Sequence, residues 1–190
     1  MLRTGALLAC ALLAGCVSAP PAPLTERAQV RDFTLEARFA LRVSQPGQAP
    51  ESSGGRLDWE HRNGYDRLLI ANPLGIGIAE IDSGPAGAQL RTSDGRQHEA
   101  ADPDTLLEEV TGQRLPVRQL SGWLLGRGAQ AQAQVAADAQ GRPAQLSESG
   151  WQVDYAYADD APGALPERIT LRRAETLELR LRIENWKTAP

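Results

Sequence analysis

Between Phe33 and Val43 the apolar residues Phe33, Leu35, Ala37, Phe39, Leu41 and Val43 alternate with Thr34, Glu36, Arg38, Ala40 and Arg42. A period of two puts every other side chain on one face, so this stretch predicts a strand with one buried and one wet face. The same beat returns in Arg56 to Glu60, in Trp151-Val153-Tyr155-Tyr157, and most cleanly in Leu177-Leu179-Leu181-Ile183, which alternate with Glu178, Arg180, Arg182 and Glu184. Weaker strand signals cover 67–71, 76–82, 88–92, 132–137, 144–148 and 168–172. Asn63-Gly64, Asp94-Gly95 and Gln140-Gly141 punctuate them at short intervals, which favours an antiparallel meander over parallel crossover units.

The middle of the chain changes period. Asp102-Pro103-Asp104 reads as an N-cap with proline at the first helical position, Leu106, Leu107 and Val110 share one side, and Gly112 ends the segment. A second short helix is predicted from near Pro116, with Val117, Leu120, Trp123 and Leu124 at helical spacing and Gly126 at its close. A sheet of many strands curls toward a barrel, and this helical pair is the cover available for its buried face. Such a body holds either a filled core or a ligand cavity, and alternation alone does not separate the two.

The chain has 190 residues, enough for one domain with its own core. No apolar run reaches the roughly 20 residues of a spanning helix. With a net charge of −4 and no basic block in the sequence, nucleic acid is excluded as the main partner. Arg3 is followed by the short apolar segment 5–13 and then by Leu13-Ala14-Gly15-Cys16, which resembles the lipobox of bacterial lipoproteins. That pattern implies a signal peptide over 1–15, acylation of Cys16, and a Pro- and Ala-rich flexible tether over 16–30 ahead of a domain spanning 31–188. Several acyl chains together anchor a protein effectively permanently. Val17 stands where an aspartate would signal inner-membrane retention by resemblance to the enterobacterial sorting rule, so outer-membrane delivery is expected.

Catalytic signatures are missing. Cys10 leaves with the signal peptide, and His61 and His98 lack metal-ligand spacing. There is no GxSxG elbow, and Gly75-Ile76-Gly77 lacks the third glycine of a dinucleotide loop because residue 80 is Glu. Asp58 with Glu60, and Asp159 with Asp160, read as solvated faces and turns. The expectation is a protein that is not an enzyme and needs no cofactor or metal.

One segment stands out. Asn72-Pro73-Leu74-Gly75 joins two apolar strands, with Pro presetting φ at the second turn position and Gly relaxing the last, which leaves Leu74 at the tip. A leucine there either folds back on its own hairpin or enters a membrane, where full burial contributes about 1.5–3 kcal/mol.

Taken together these residues resemble the family of LolB outer-membrane lipoprotein receptors. The likeness runs through the lipobox at Cys16, Arg38-Phe39-Ala40, Leu57-Asp58-Trp59, Tyr65-Asp66-Arg67-Leu68, Asn72-Pro73-Leu74-Gly75, Leu115-Pro116, Trp123-Leu124-Leu125-Gly126, Gly150-Trp151 with Val153 and Tyr155, Leu165-Pro166 and Asn185-Trp186. Alanine and arginine richness and the run 130–139 depart from it without touching a functional position.

The resemblance implies a mainly β fold with a few helices, an incomplete antiparallel β-barrel closed by a helical lid over an apolar cavity. It further implies a monomeric receptor, facing the periplasm, that accepts acylated lipoproteins from a LolA-like carrier and inserts them into the inner leaflet of the outer membrane without nucleotide. Leu74, within the loop Asn72, Pro73, Leu74 and Gly75, takes the role of the family's protruding leucine in membrane insertion of cargo. The apolar beat and helical faces then nominate Phe39, Leu41, Trp59, Leu69, Ile78, Leu120, Trp123, Leu124, Ile169, Leu179 and Leu181 for the acyl-chain cavity, about half of them to touch ligand. The alternative from another class is a scaffolding outer-membrane lipoprotein with a filled β core.

Overall fold

The computed structural model describes residues 27–189, so the signal peptide, Cys16 and most of the tether lie outside the described residues. In chain order the elements are β1 (Asp32–Val43), β2 (Glu51–Arg62), β3 (Tyr65–Ala71), β4 (Gly77–Gly84), β5 (Gly87–Thr92), β6 (Gln97–Ala100), α1 (Pro103–Thr111), α2 (Val117–Leu124), β7 (Gln134–Ala137), β8 (Pro143–Glu148), β9 (Trp151–Ala156), β10 (Arg168–Arg173) and β11 (Leu177–Ala189).

All the strands form one antiparallel sheet in the order β6-β5-β4-β3-β2-β1-β11-β10-β9-β8-β7. Its two edges, β6 and β7, are not paired with each other, so the sheet is open rather than a closed barrel. The helices lie between those edges in sequence, and α1 packs on β5, β6 and α2. The strand alternation is realised as faces: Leu35 and Ala37 are buried while Glu36 and Arg38 are exposed, and Leu177, Leu179, Leu181 and Ile183 are all buried on β11. One cluster gathers residues from β1 to β5, β8 to β11 and both helices, which requires the sheet to wrap around α1 and α2.

The helix signals have the expected physical causes. Asp102 accepts from the backbone N–H groups of Asp104 and Thr105 at 3.0 Å each, and Gly112 closes α1 at φ 69 in the left-handed region. The α2 helix starts at proline without a side-chain cap of its own. Asp104, buried on α1, accepts the Arg118 backbone N–H at 3.1 Å instead, so one helix caps the other. Strand β6 carries no sequence signal, because Gln-His-Glu-Ala is short and polar and exists by pairing with β5.

At the end of the sheet opposite the Asn-Pro-Leu-Gly turn, Asp66 accepts from the Trp59 indole N–H at 2.8 Å and bonds His61 Nδ1 at 2.6 Å. Phe33 stacks on the His61 ring and meets Trp59 and Trp186 edge-on. The hydrogen bond to Asp66 raises the His61 pKa above its ordinary 6.5, against the opposing effect of burial. A raised folded-state pKa makes the imidazolium a stabilising group below the unfolded value, and that contribution is lost as pH rises through the folded value. The melting temperature therefore falls as pH rises from about 6.5, and His61→Gln removes that dependence in a pH series of thermal melts.

Candidate functional site: an apolar cavity and a protruding hairpin tip

Between the inner face of the sheet and the helical pair lies a cavity of about 110 Å³ whose lining is wholly apolar. Phe39, Leu41, Leu57, Trp59, Leu179 and Leu181 supply its floor from β1, β2 and β11, and Leu68, Ile70 and Ile81 one wall. Leu107, Leu115, Pro116, Val117 and Leu120 close it from the helical side. Gly55 lets β2 approach the end of β3 beside Phe39: a Cβ there would stand 2.1 Å from the Ala71 carbonyl oxygen and 3.1 Å from the Phe39 ring. A wall without donors or acceptors binds by burial, and so accepts aliphatic chains without discriminating between them.

Of the residues nominated from sequence, the structure brings Phe39, Leu41, Trp59, Leu120, Leu179 and Leu181 to this cavity. Ile169, Trp123 and Leu124 are fully buried but sit in the surrounding core. Trp123 is a fixed post: its indole N–H donates to the Glu148 carboxylate at 2.5 Å, and its ring lies 6.2 Å from that of Trp151.

Leu69 and Ile78 correct the sequence reading, because both are exposed on the outer face. Trp59 faces inward and stands opposite Leu68, so Leu69, opposite Asp58, must face out. Ile78 alternates with Ala79 and Ile81, which stand opposite the inward Ile70 and Leu68, so it too faces out; the register shift between Ile70 and Ala71, where Ala71 pairs with Gly77, leaves it as the unpaired residue of a bulge. The lining residues missed from sequence include Leu68 and Ile81. The signal for Leu68 was present in the Asn63-Gly64 turn, where both residues have positive φ and Arg62 is thereby set against Tyr65.

The two ends of α2 are held differently. At its C-terminal end Tyr155 donates to the Trp123 carbonyl at 2.7 Å, and burial pushes the Tyr155 hydroxyl pKa well up, so it remains a donor. The Ala129 backbone N–H and the Trp123 indole share the Glu148 carboxylate. At the N-terminal end Leu115, Pro116 and Val117 rest on the cavity, and the tie runs to α1 through Asp104 rather than to the sheet. Glu148→Ala strands two donors at the fixed end, so we expect a loss of about 3 kcal/mol in a urea titration.

The Asn72–Ile76 connection is rigidly built. Gly75 N–H donates to the Asn72 carbonyl at 2.9 Å, the Asn72 side chain accepts from Leu74 N–H at 2.9 Å and Ile76 N–H at 3.0 Å, and Gly75 takes φ 87. Leu74 is thrust outward at 86% exposure rather than folded onto its hairpin. Ile76, Leu69 and Ile78 are exposed beside it, making an apolar patch on one hairpin end.

The family described as Outer membrane lipoprotein LolB matches residues 31–186, from the first strand to the last. This chain belongs to the LolB family. An outer-membrane lipoprotein LolB of Dechloromonas aromatica is 58% identical over 189 residues, covering 100% of this chain and 99% of its own. That of an Azoarcus species is 34% identical over 186 residues, 96% of this chain and 94% of the relative. A solved LolA superfamily protein from Nitrosomonas europaea superposes at TM-score 0.46 with 10% identity, over 83% of this chain and 86% of that one. Within the LolB family frame, the matched region contains both the cavity and the hairpin.

Proposed function

We propose that this protein is an outer-membrane receptor that takes acylated lipoproteins from a LolA-like periplasmic carrier and releases them into the inner leaflet of the outer membrane. Membership of the LolB family supports the reading, and the observation that carries it is the wholly apolar cavity beneath α2. A scaffolding protein needs no such space. The receptor is anchored through Cys16, faces the periplasm, acts as a monomer, and works without catalysis or nucleotide.

Cargo binding requires movement. The cavity holds about 110 Å³, whereas ligand pockets run to roughly 300–1,000 Å³. With its C-terminal end pinned by Glu148 and Tyr155, α2 swings outward at the Leu115-Pro116-Val117 end together with α1, to which Asp104 ties it, to admit an acyl chain. Transfer runs downhill because the receptor offers the chain a more favourable apolar environment than the carrier, and the bilayer a better one still. The deciding experiment mixes carrier loaded with a triacylated lipoprotein and this protein from position 16 onward bearing Cys16→Ala, without nucleotide. One-way movement of cargo supports the receptor; folded protein that accepts none returns the reading to the scaffold.

A further inference from the structure

Four arginines from four different strands fall into one row across the outer face of the sheet. Arg56 on β2 stands opposite Arg38 on β1, Arg38 opposite Arg182 on β11, and Arg182 opposite Arg168 on β10. At ordinary strand spacing the row is about 14 Å long. Like charges directly opposite each other destabilise a sheet, so the arrangement opposes folding rather than serving it. All four are exposed. Glu184 pairs with Arg38 at 2.6 Å, and Glu167 approaches Arg168 at 3.9 Å. Among the described residues Arg56 and Arg182 have no ion-pair partner.

The row is placed with respect to the tip. Its next position beyond Arg56 is Ala71, the last residue of β3, from which the chain enters Asn72 and Leu74. On β1 the outer-face residues further toward that end are Ala40 and then Arg42, which stands opposite Glu178, whereas the opposite end carries Glu36, and Asp58 and Glu60 on β2. A protein of net charge −4 thus concentrates positive charge on the outer face at the end where its apolar tip projects.

We propose that this arginine row binds the phosphates of anionic phospholipids and orients the molecule on the membrane that Leu74 enters. Guanidinium forks match phosphate oxygens bidentately, and spacing at successive strands sets them against neighbouring headgroups rather than one small ligand. The inference rests on the receptor reading above and adds to it a preference for anionic lipid.

The test uses the chain from position 16 with Cys16→Ala; every core residue lies between Val30 and Ile183, so the fold is retained. Flotation is measured on vesicles of phosphatidylethanolamine alone and with phosphatidylglycerol added, for the parent and for Arg56→Gln combined with Arg182→Gln. Each arginine near an anionic surface is worth about fivefold in partitioning, so the double variant loses roughly thirtyfold on the anionic vesicles and little on the others. Its melting temperature holds or rises, since like-charge repulsion is relieved. Salt reproduces the loss in the parent. A parent indifferent to phosphatidylglycerol, or a double variant that keeps the preference, overturns the proposal. So does a double variant with unchanged flotation that no longer takes cargo from the carrier, which would assign the row to the carrier instead. Failure of cargo transfer in the parent itself refutes the receptor reading and is read in a separate assay.

Discussion

Leu74→Glu is expected to leave cargo acceptance from the carrier near the parent level while reducing delivery into vesicles by about tenfold to a hundredfold. The side chain is 86% exposed and makes no contribution to the core, so neither stability nor the cavity depends on it. The turn that carries it is held by Asn72 and Gly75, whose hydrogen bonds involve the backbone of residue 74 only. What changes is the encounter with lipid: a leucine gains about 1.5–3 kcal/mol on entering hydrocarbon, and a carboxylate forfeits that and resists desolvation. Following labelled lipoprotein from carrier to receptor, then from receptor to vesicle, separates the two steps. Equal loss in both would show that the tip belongs to the docking surface and not to insertion.

Leu41→Asp should produce the complementary defect. Leu41 is half-buried on the cavity floor, so an aspartate there reaches water in the empty state and the protein folds. When an acyl chain enters, that carboxylate must be desolvated or protonated against an apolar wall, and we expect acceptance to fall about a hundredfold or more. Leu41→Met, which conserves volume and polarity, should accept normally. A Leu41→Asp protein with an unchanged urea midpoint and undiminished uptake would place the acyl chain elsewhere.

The candidate site was legible in sequence to different depths. Leu74 was readable as a tip because Pro and Gly at their positions specify the turn, but only the fold shows it projecting free of its hairpin. The cavity floor from Phe39, Leu41, Leu179 and Leu181 follows from alternation in long strands with an unambiguous phase. Leu68-Leu69-Ile70 has no alternation to read, and its phase comes from Trp59 across the Asn63-Gly64 turn. The phase of β4 is likewise set only by pairing: Ile81 stands opposite the inward Leu68, which puts Ile78 on the outer face although Ile76, Ile78 and Ile81 are equally apolar in sequence.

By itself the sequence determined the long strands with their wet and dry faces, the capped α1 helix and the tight turn, because each depends on residues close together in the chain. The tertiary structure alone decided that β1 and β11 are neighbours, that α2 is pinned at one end by Glu148 and Tyr155, and that four arginines from distant strands share a row. Alternation settles which face a side chain takes within its own strand. Which residue it meets on the next strand depends on register, and across β1 and β11 that register is set by non-local hydrogen bonds and a bulge near Glu36, which local periodicity does not encode.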